Sequence, residues 1–188
     1  MVARVQTVAF QGIDAVPVDV QVMIAPGKVN IHIVGLPDKA VAESRERVQS
    51  ALHASGLALP HKKVTVNLAP ADLPKEGSHY DLPIALGLMA ALGAIPADAL
   101  ANYVVLGELS LDGSITAVSG ALPAAIGANA LGAGLICPED CGPEAAWTGP
   151  VFLENGGHGQ PFSRNTGPVP TAARNSGQHE RTCRSRRH

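Results

Sequence analysis

The segment VTVNLAPADLPKEGSHYDLP, residues 64–83, decides the predicted fold. Its first five residues alternate between apolar and polar side chains, which is typical of a strand with one buried face. A polar, proline-containing loop follows over residues 69–80, and an apolar helix begins at Asp81. A strand that runs through such a loop into a buried helix is a common place for a functional site.

The loop and the start of the helix hold the densest cluster of ionisable side chains in the ordered part of the chain. The members are Asp72, Lys75, Glu76, His79 and Asp81. We expect Lys75, Glu76 and Asp81 to form an ion-paired loop that Asp81 caps, and a structural role is favoured over a binding role. If the cluster binds a ligand, the helix N-terminus beside Lys75 favours an anion.

Composition predicts a core made of aliphatic side chains, because apolar residues make up 46% of the 188 residues and aromatic residues only 3%. The charge is divided unevenly. Residues 1–154 carry eight Lys/Arg against fifteen Asp/Glu, whereas residues 155–188 carry six Arg and one Glu. The acidic body argues against direct binding of nucleic acid by that part of the chain.

The cysteines and the N-terminus predict a cytoplasmic protein. Cys137, Cys141 and Cys183 provide no disulfide framework, and free thiols are favoured over a metal site because structural zinc needs four ligands. The N-terminus has no charged region followed by an apolar run, so no signal peptide is expected. The apolar stretch at residues 82–95 is shorter than the roughly 20 residues that span a bilayer, so no membrane contact is predicted.

The first half of the chain alternates between strand and helix patterns. Residues 2–10 and 14–24 predict a hairpin, and a third strand ends at Gly35. A helix is predicted from a cap at Asp38 to Gly56. Its charged face, with Glu43 and Arg47 four residues apart, is interpreted as a solvated surface, and a subunit contact is the alternative.

The second half predicts a central helix and further strands. Asp81 is predicted to cap the next helix, which is apolar on most sides and should be buried. Residues 102–118 predict a strand pair with a turn at Asp112-Gly113, residues 119–133 a helix, and Leu135-Ile136 a last strand. Hairpins in the early part and helices between later strands indicate an α/β fold with a mixed sheet.

The composition changes sharply near residue 155. Residues 155–188 contain no Leu, Ile or Met, so they cannot bury enough surface to offset the entropy of ordering. We therefore divide the chain into a folded domain, residues 1–150, and a disordered basic tail, residues 151–188. An aberrant end, from a frameshifted or truncated gene, is favoured over a nucleic-acid-binding arm.

Three motifs resemble the N-terminal domain of the magnesium-chelatase-like AAA+ ATPases, the ComM/YifB family. They are GLPDKAVAESRERVQSAL (residues 35–52), NLAPADLPKEGSHYDLPIAL (67–86) and LGELSLDGSITAVSGALPAA (106–125). The resemblance covers roughly residues 3–150. It implies a domain placed ahead of an ATPase module that uses ATP and Mg²⁺, a ring-shaped homo-oligomer, and a link to DNA processing in transformation.

The family is similar in turn to the proteolytic domain of Lon, which implies the ribosomal protein S5 domain 2-like fold. Lon-type proteases use a Ser–Lys dyad in which the lysine accepts the serine proton. The resemblance places the serine at His79, with Ser78 one residue early, and the lysine at Leu122. Both dyad positions are therefore replaced. A peptidase that uses Ser78 and His79 is an alternative hypothesis.

The sequence also lacks a phosphate-binding loop of the type G-x4-G-K-[ST]. Its one Gly-Lys pair, Gly27-Lys28, is followed by Val29. We therefore expect no bound cofactor and no ATP hydrolysis in this chain. The leading hypothesis is a non-catalytic domain that serves subunit packing or substrate engagement. The alternatives are a Lon-type peptidase with a degenerate site and a nucleic-acid-binding module that acts through the Arg-rich tail.

Overall fold

The computed structural model describes residues 2–57 and 59–146 with their side chains, and residues 151–154 as backbone only. The strands are β1 (Val2–Gln11), β2 (Asp14–Ala25), β3 (Asn30–Val34), β4 (Lys63–Ala69), β5 (Tyr103–Val105), β6 (Glu108–Leu109), β7 (Ile115–Thr116), β8 (Gly134–Pro138) and β9 (Val151–Glu154). The α-helices are α1 (Lys39–Ala54), α2 (Asp81–Ala91), α3 (Ala121–Ala130) and α4 (Gly142–Ala145). Two single-turn 3-10 helices span Ala97–Leu100 and Glu139–Cys141.

Seven of these strands form one mixed sheet, which confirms the predicted α/β class. Their order is β3-β4-β2-β1-β5-β8-β9. β1 and β2 form the predicted antiparallel hairpin, with Gln11 opposite Asp14, and β2 also runs antiparallel to β4. The other neighbouring pairs are parallel. Because β9 pairs with β8, the sheet extends past the boundary expected at residue 150, and the tail from residue 155 lies outside the described residues.

Hydrophobic cores lie on both faces of the sheet. Because successive side chains of a strand point to opposite faces, Val5 of β1 packs in the core under α1 and α2, and Val8 packs in the core under α3. α2 is buried from Asp81 to Ala90, as its apolar pattern predicts. The helix approaches the sheet closely at Gly87, where a Cβ would lie 2.8 Å from a methyl group of Val22.

The strand pair predicted over residues 102–118 is divided in the structure. β5 joins the main sheet, and β6 and β7 form a separate two-stranded hairpin. The chain leaves the sheet at Gly107, because its N–H donates to the carbonyl of His79 while the N–H of Leu106 donates to Ile136. The predicted turn at Asp112-Gly113 is confirmed, with Gly113 at φ +88°.

The helices of the described part are short. α1 is the longest, with 16 residues. No helix in residues 2–57 and 59–146 combines the length and the apolar character that a membrane span requires.

Gly35 provides a test of the chain path between β3 and α1. Its φ is +105°, and a Cβ there would lie 2.1 Å from the carbonyl oxygen of Leu68. Gly12 has φ +64° and open space around it, so an alanine there suffers only the energetic cost of the left-handed backbone and no steric clash. We expect Gly12→Ala to cost about 1–2 kcal/mol of unfolding free energy, and Gly35→Ala to cost more because β4 must also move. Urea denaturation measures both, and equal losses would contradict the close approach.

Candidate functional site

An ion pair with a buried carboxylate joins α1 and α2. Asp81, at the start of α2, is fully buried, and the side chain of Arg47 in α1 is 21% exposed. Nε of Arg47 lies 2.5 Å from Oδ2 of Asp81, and Nη2 lies 3.0 Å from Oδ1, so the contact is bidentate. Its partner raises the pKa of Arg47, chiefly through these hydrogen bonds. We call this pair the Arg47–Asp81 junction.

The junction also ties in the third family-like motif. The N–H of Leu109 in β6 donates to Oδ2 of Asp81 at 3.2 Å. Nη2 of Arg47 donates to the carbonyl of Ala40, which fixes the guanidinium along α1. The start of α2 is held from the same side, because the N–H of Leu82 donates to the carbonyl of Gly107. The motifs at residues 35–52, 67–86 and 106–125 therefore meet at one carboxylate.

The predicted surface pair between Glu43 and Arg47 is wrong. Glu43 pairs with Lys39 instead, at 3.7 Å. Arg47 turns towards Asp81 because a buried carboxylate without a cation would be far costlier than a solvated arginine. The prediction that Asp81 caps α2 is also wrong, since Tyr80 occupies the N-cap position and Asp81 is the first helical residue.

A second set of contacts clamps the loop after β4 onto the start of α1. The Asp38 carboxylate caps α1 as predicted, accepting from the N–H of Val41 at 2.7 Å, and it also accepts from the N–H of Gly77 at 3.3 Å. The backbones of Asp38 and Lys75 are joined by a hydrogen bond of 2.9 Å. The N–H of Lys75 donates in turn to the carbonyl of Leu36. We call this arrangement the loop clamp.

Lys75 lies inside the loop clamp and not at its surface. Its side chain is fully buried, and Nζ donates to the carbonyl of Pro70. Burial lowers the pKa of Lys75, and the nearby charge of Asp72 partly opposes that shift. The amine closes the loop on itself, so it is not available to a ligand.

The predicted ion-paired loop of Lys75, Glu76 and Asp81 is therefore wrong. Asp81 binds Arg47, Lys75 binds a carbonyl, and Glu76 is exposed to solvent together with Asp72. The anion site considered beside Lys75 has no exposed cation, because the Lys75 amine is buried and donates to the Pro70 carbonyl. Of the five cluster members, three are buried structural groups and two are solvated acids.

His79 is a buried, neutral histidine. Its side chain is held between Phe10 and Tyr80, with ring centroids 5.1 and 4.1 Å away. Nε2 lies 2.8 Å from the carbonyl oxygen of Val8, and since a carbonyl only accepts, this hydrogen bond requires a proton on Nε2. Burial lowers the pKa of His79, against the opposing effects of the Val8 carbonyl and of Asp81.

The hydroxyl of Ser78 and the ring of His79 have different hydrogen-bond partners. It donates to the carboxylate of Glu108 in β6. Leu122, at the position where the Lon-type lysine is expected, is a half-buried residue in the first turn of α3. Its N–H donates to Oε1 of Glu144 at 3.0 Å, so a carboxylate from α4 serves the start of α3. Ser78, His79 and Leu122 are thus each committed to a different neighbour.

The thiols of Cys137 and Cys141 are buried and free. Burial raises the pKa of Cys137 to about 12, which keeps it a neutral thiol. Sγ of Cys141 lies 3.5 Å from the backbone N and O of Val118. Within residues 2–57 and 59–146 no three His, Cys, Asp or Glu side chains are grouped as metal ligands. Cys183 lies outside the described residues.

Comparison with known proteins places this arrangement in a family. A family model described as subunit ChlI of Mg-chelatase matches residues 20–141, from β2 to the 3-10 helix after β8. That range contains the junction and the loop clamp and covers about two thirds of the chain. The chain belongs to the ChlI family of Mg-chelatase subunits.

Individual relatives of this ChlI-family chain carry the names YifB and ComM. The chain is 46% identical over 136 residues to YifB of Escherichia coli, which is 72% of this chain and 27% of that protein. It is 44% identical over 126 residues to the competence protein ComM of Haemophilus influenzae, or 67% of this chain and 25% of that protein. Mb2921c of Mycobacterium bovis is 41% identical over 144 residues, or 76% and 29%. The chain thus matches between a quarter and a third of each relative's length.

Sequence reasoning missed the two residues that organise this site, Arg47 and Glu108. The spacing of the buried residues in α1 gave a signal for Arg47, which follows Ser44 by three positions and precedes Val48. It therefore lies at the edge of the buried face and not opposite it. No short-range pattern links Glu108 to Ser78, because the contact joins residues 30 positions apart.

The Arg47–Asp81 junction predicts a large cost for losing its cation. Arg47→Ala leaves the buried Asp81 carboxylate without a charged partner, so we expect a loss of about 3–5 kcal/mol in unfolding free energy. The matched control is Arg45→Ala, which removes an exposed pair with Glu46 and should cost about 1 kcal/mol or less. Urea denaturation measures both. The double variant Arg47→Met/Asp81→Asn should recover part of the loss, and a simply additive double variant would contradict the coupling.

His79 predicts a pH dependence of stability. The folded protein keeps the imidazole neutral with a lowered pKa, so the unfolded chain binds the extra proton as the pH falls below about 6.5. Stability should therefore fall on acidification through that range. His79→Gln, which retains an N–H donor for the Val8 carbonyl, should flatten the slope. Denaturation at several pH values tests this, and equal slopes for parent and His79→Gln would contradict it.

Proposed function

We propose that this chain is a non-catalytic domain of a magnesium-chelatase-like AAA+ ATPase of the ComM/YifB type. Its role is subunit packing or substrate engagement in the assembled protein. The observation that carries the proposal is that the side chains of the most ionisable loop are committed to the fold. Lys75 binds Pro70, His79 binds Val8 and Asp81 binds Arg47, so none of the three presents a reactive atom to a substrate.

A peptidase role has little support in these contacts. A Ser–His mechanism needs the imidazole to accept the proton of the serine hydroxyl. Here the protonated Nε2 of His79 donates a hydrogen bond to the Val8 carbonyl, and the Ser78 hydroxyl donates to Glu108. The Lon-type alternative also lacks its base, since Leu122 occupies that position and no lysine follows Lys75 in the sequence.

Nucleotide binding is likewise unsupported, because ATP and Mg²⁺ do not fit the residues present. A phosphate-binding loop precedes a helix, whose N-terminal amides face the phosphates. The Gly27-Lys28 pair lies instead in the turn between β2 and β3, and it leads into a strand. We propose that ATP and Mg²⁺ belong to another part of the parent protein.

The fold proposed for this domain is the ribosomal protein S5 domain 2-like fold of Lon-type proteolytic domains. It is supported by the mixed sheet, by the β1–β2 hairpin at its centre and by the parallel β3–α1–β4 unit. In this proposal the parent protein is a cytoplasmic ring of identical subunits that processes DNA. The support is the name competence protein ComM for a relative that is 44% identical.

The proposal predicts that the purified chain neither binds nor hydrolyses ATP. Isothermal titration with MgATP should give no binding heat, and phosphate release should equal that of buffer. Casein cleavage should be absent from the parent and unchanged in Ser78→Ala and His79→Ala. An ATPase with a complete phosphate-binding loop and known turnover serves as the positive control for phosphate release. ATP hydrolysis by this chain would overturn the non-catalytic assignment. Casein cleavage that disappears in Ser78→Ala would also overturn it.

A further inference from the structure

The two ends of the sheet carry opposite charge. The strand register places the first residues of β3 and β4 beside the last residues of β2, since Lys63 lies opposite both Ala25 and Asn30. This end carries the exposed residues Lys28, Lys62 and Lys63. None of the three lysines makes an ion pair with another described residue. We call this surface the lysine end.

The opposite end of the sheet is acidic. β4 runs from the lysine end to its last residue, and the loop that follows exposes Asp72 and Glu76. β8 runs in the same direction as β4, because β1, β5 and β8 are parallel to one another and β2 is antiparallel to both β1 and β4. Exposed Asp140 follows β8 and therefore lies at this end. Asp14 lies at this end too, in the turn of the β1–β2 hairpin. The surface formed by Asp14, Asp72, Glu76 and Asp140 is the acidic end.

The acidic end also exposes a strained apolar residue. Leu36 has φ +55° and is 56% exposed. A branched apolar side chain seldom adopts this left-handed conformation, and strained residues of this kind are concentrated at functional surfaces. The loop clamp holds it there, because its carbonyl accepts from the N–H of Lys75 and Gly35 packs on the Leu68 carbonyl. At the lysine end, Val29 is 55% exposed directly beside Lys28.

We propose that the acidic end of one copy of this chain docks on the lysine end of a second copy. Each end offers an exposed aliphatic side chain beside charges that are mainly of one sign, and the net charges of the two ends are complementary. Lys39 at the acidic end and Asp98 at the lysine end are exposed charges of the opposite sign. A contact between two different surfaces of the same chain is heterologous, so it propagates head to tail and closes into a ring where the rotation permits. A polyanion is the less favoured occupant of the lysine end, because the body carries a net negative charge. The inference rests on the proposed role in subunit packing and assigns that contact to the acidic end and the lysine end.

The test is sedimentation velocity of the full chain over a range of protein and salt concentrations. We expect concentration-dependent association at about 0.05 M NaCl that weakens at least tenfold at about 0.5 M, because screening shortens the reach of exposed charges. Lys62→Glu/Lys63→Glu makes both ends acidic, and Asp72→Lys/Glu76→Lys removes the net negative charge of the acidic end while the lysine end stays basic. Neither variant should associate alone, whereas an equimolar mixture should associate again.

Two further variants separate the docking contact from general effects of charge and folding. Leu36→Asn accepts the left-handed backbone but removes the apolar side chain, so it should keep the thermal midpoint and lose association at least tenfold. Arg45→Glu reverses an exposed charge in the middle of α1, outside both ends, and it should still associate.

Three outcomes overturn the proposal. They are a parent chain that stays monomeric at low salt, a mixture of the two charge-reversed variants that does not associate, and binding of a labelled single-stranded oligonucleotide that depends on Lys62 and Lys63 in a monomeric parent. The third result would assign the lysine end to a polyanion. Because ATP hydrolysis is measured separately, each of these outcomes is distinguishable from failure of the proposed non-catalytic function.

Discussion

The fold depends on one buried carboxylate. Asp81 is fully enclosed, and an isolated charge in such a place would be prohibitively costly, so its partners must come to it. Arg47 arrives from α1 and the N–H of Leu109 arrives from β6. Each group belongs to a different one of the three family-like motifs. The three motifs therefore meet at Asp81, where a charge and a backbone N–H offset the burial of the carboxylate.

The same constraint extends to the other buried ionisable side chains of the loop, each of which has a partner within the fold. The side chains of Lys75, His79 and Asp81 look reactive in the sequence, but each one closes a gap in the backbone hydrogen bonding or the charge balance of the fold. Lys75 binds a carbonyl within its own loop, and His79 connects that loop to the first strand. These contacts hold the loop between α1, β1 and the β6–β7 hairpin.

Local patterns predicted the elements well and their side-chain partners poorly. The hairpin of β1 and β2, the cap at Asp38 and the burial of α2 follow from alternation, capping residues and a helix that is apolar on all sides. Arg47 could not be paired correctly, because Glu43 lies one helical turn away whereas Asp81 lies 34 positions along the chain. The split of residues 102–118 was equally hidden, since it depends on hydrogen bonds from Leu106 and Gly107 to distant carbonyls.

The order of the strands in the sheet also governs how the protein is made. β1 has β2, which follows it directly in the chain, on one side and β5, almost one hundred residues later, on the other. Until β5 emerges, β1 presents an unpaired edge of the kind that recruits foreign strands. During synthesis that edge therefore stays unpaired until residues 103–105 are made.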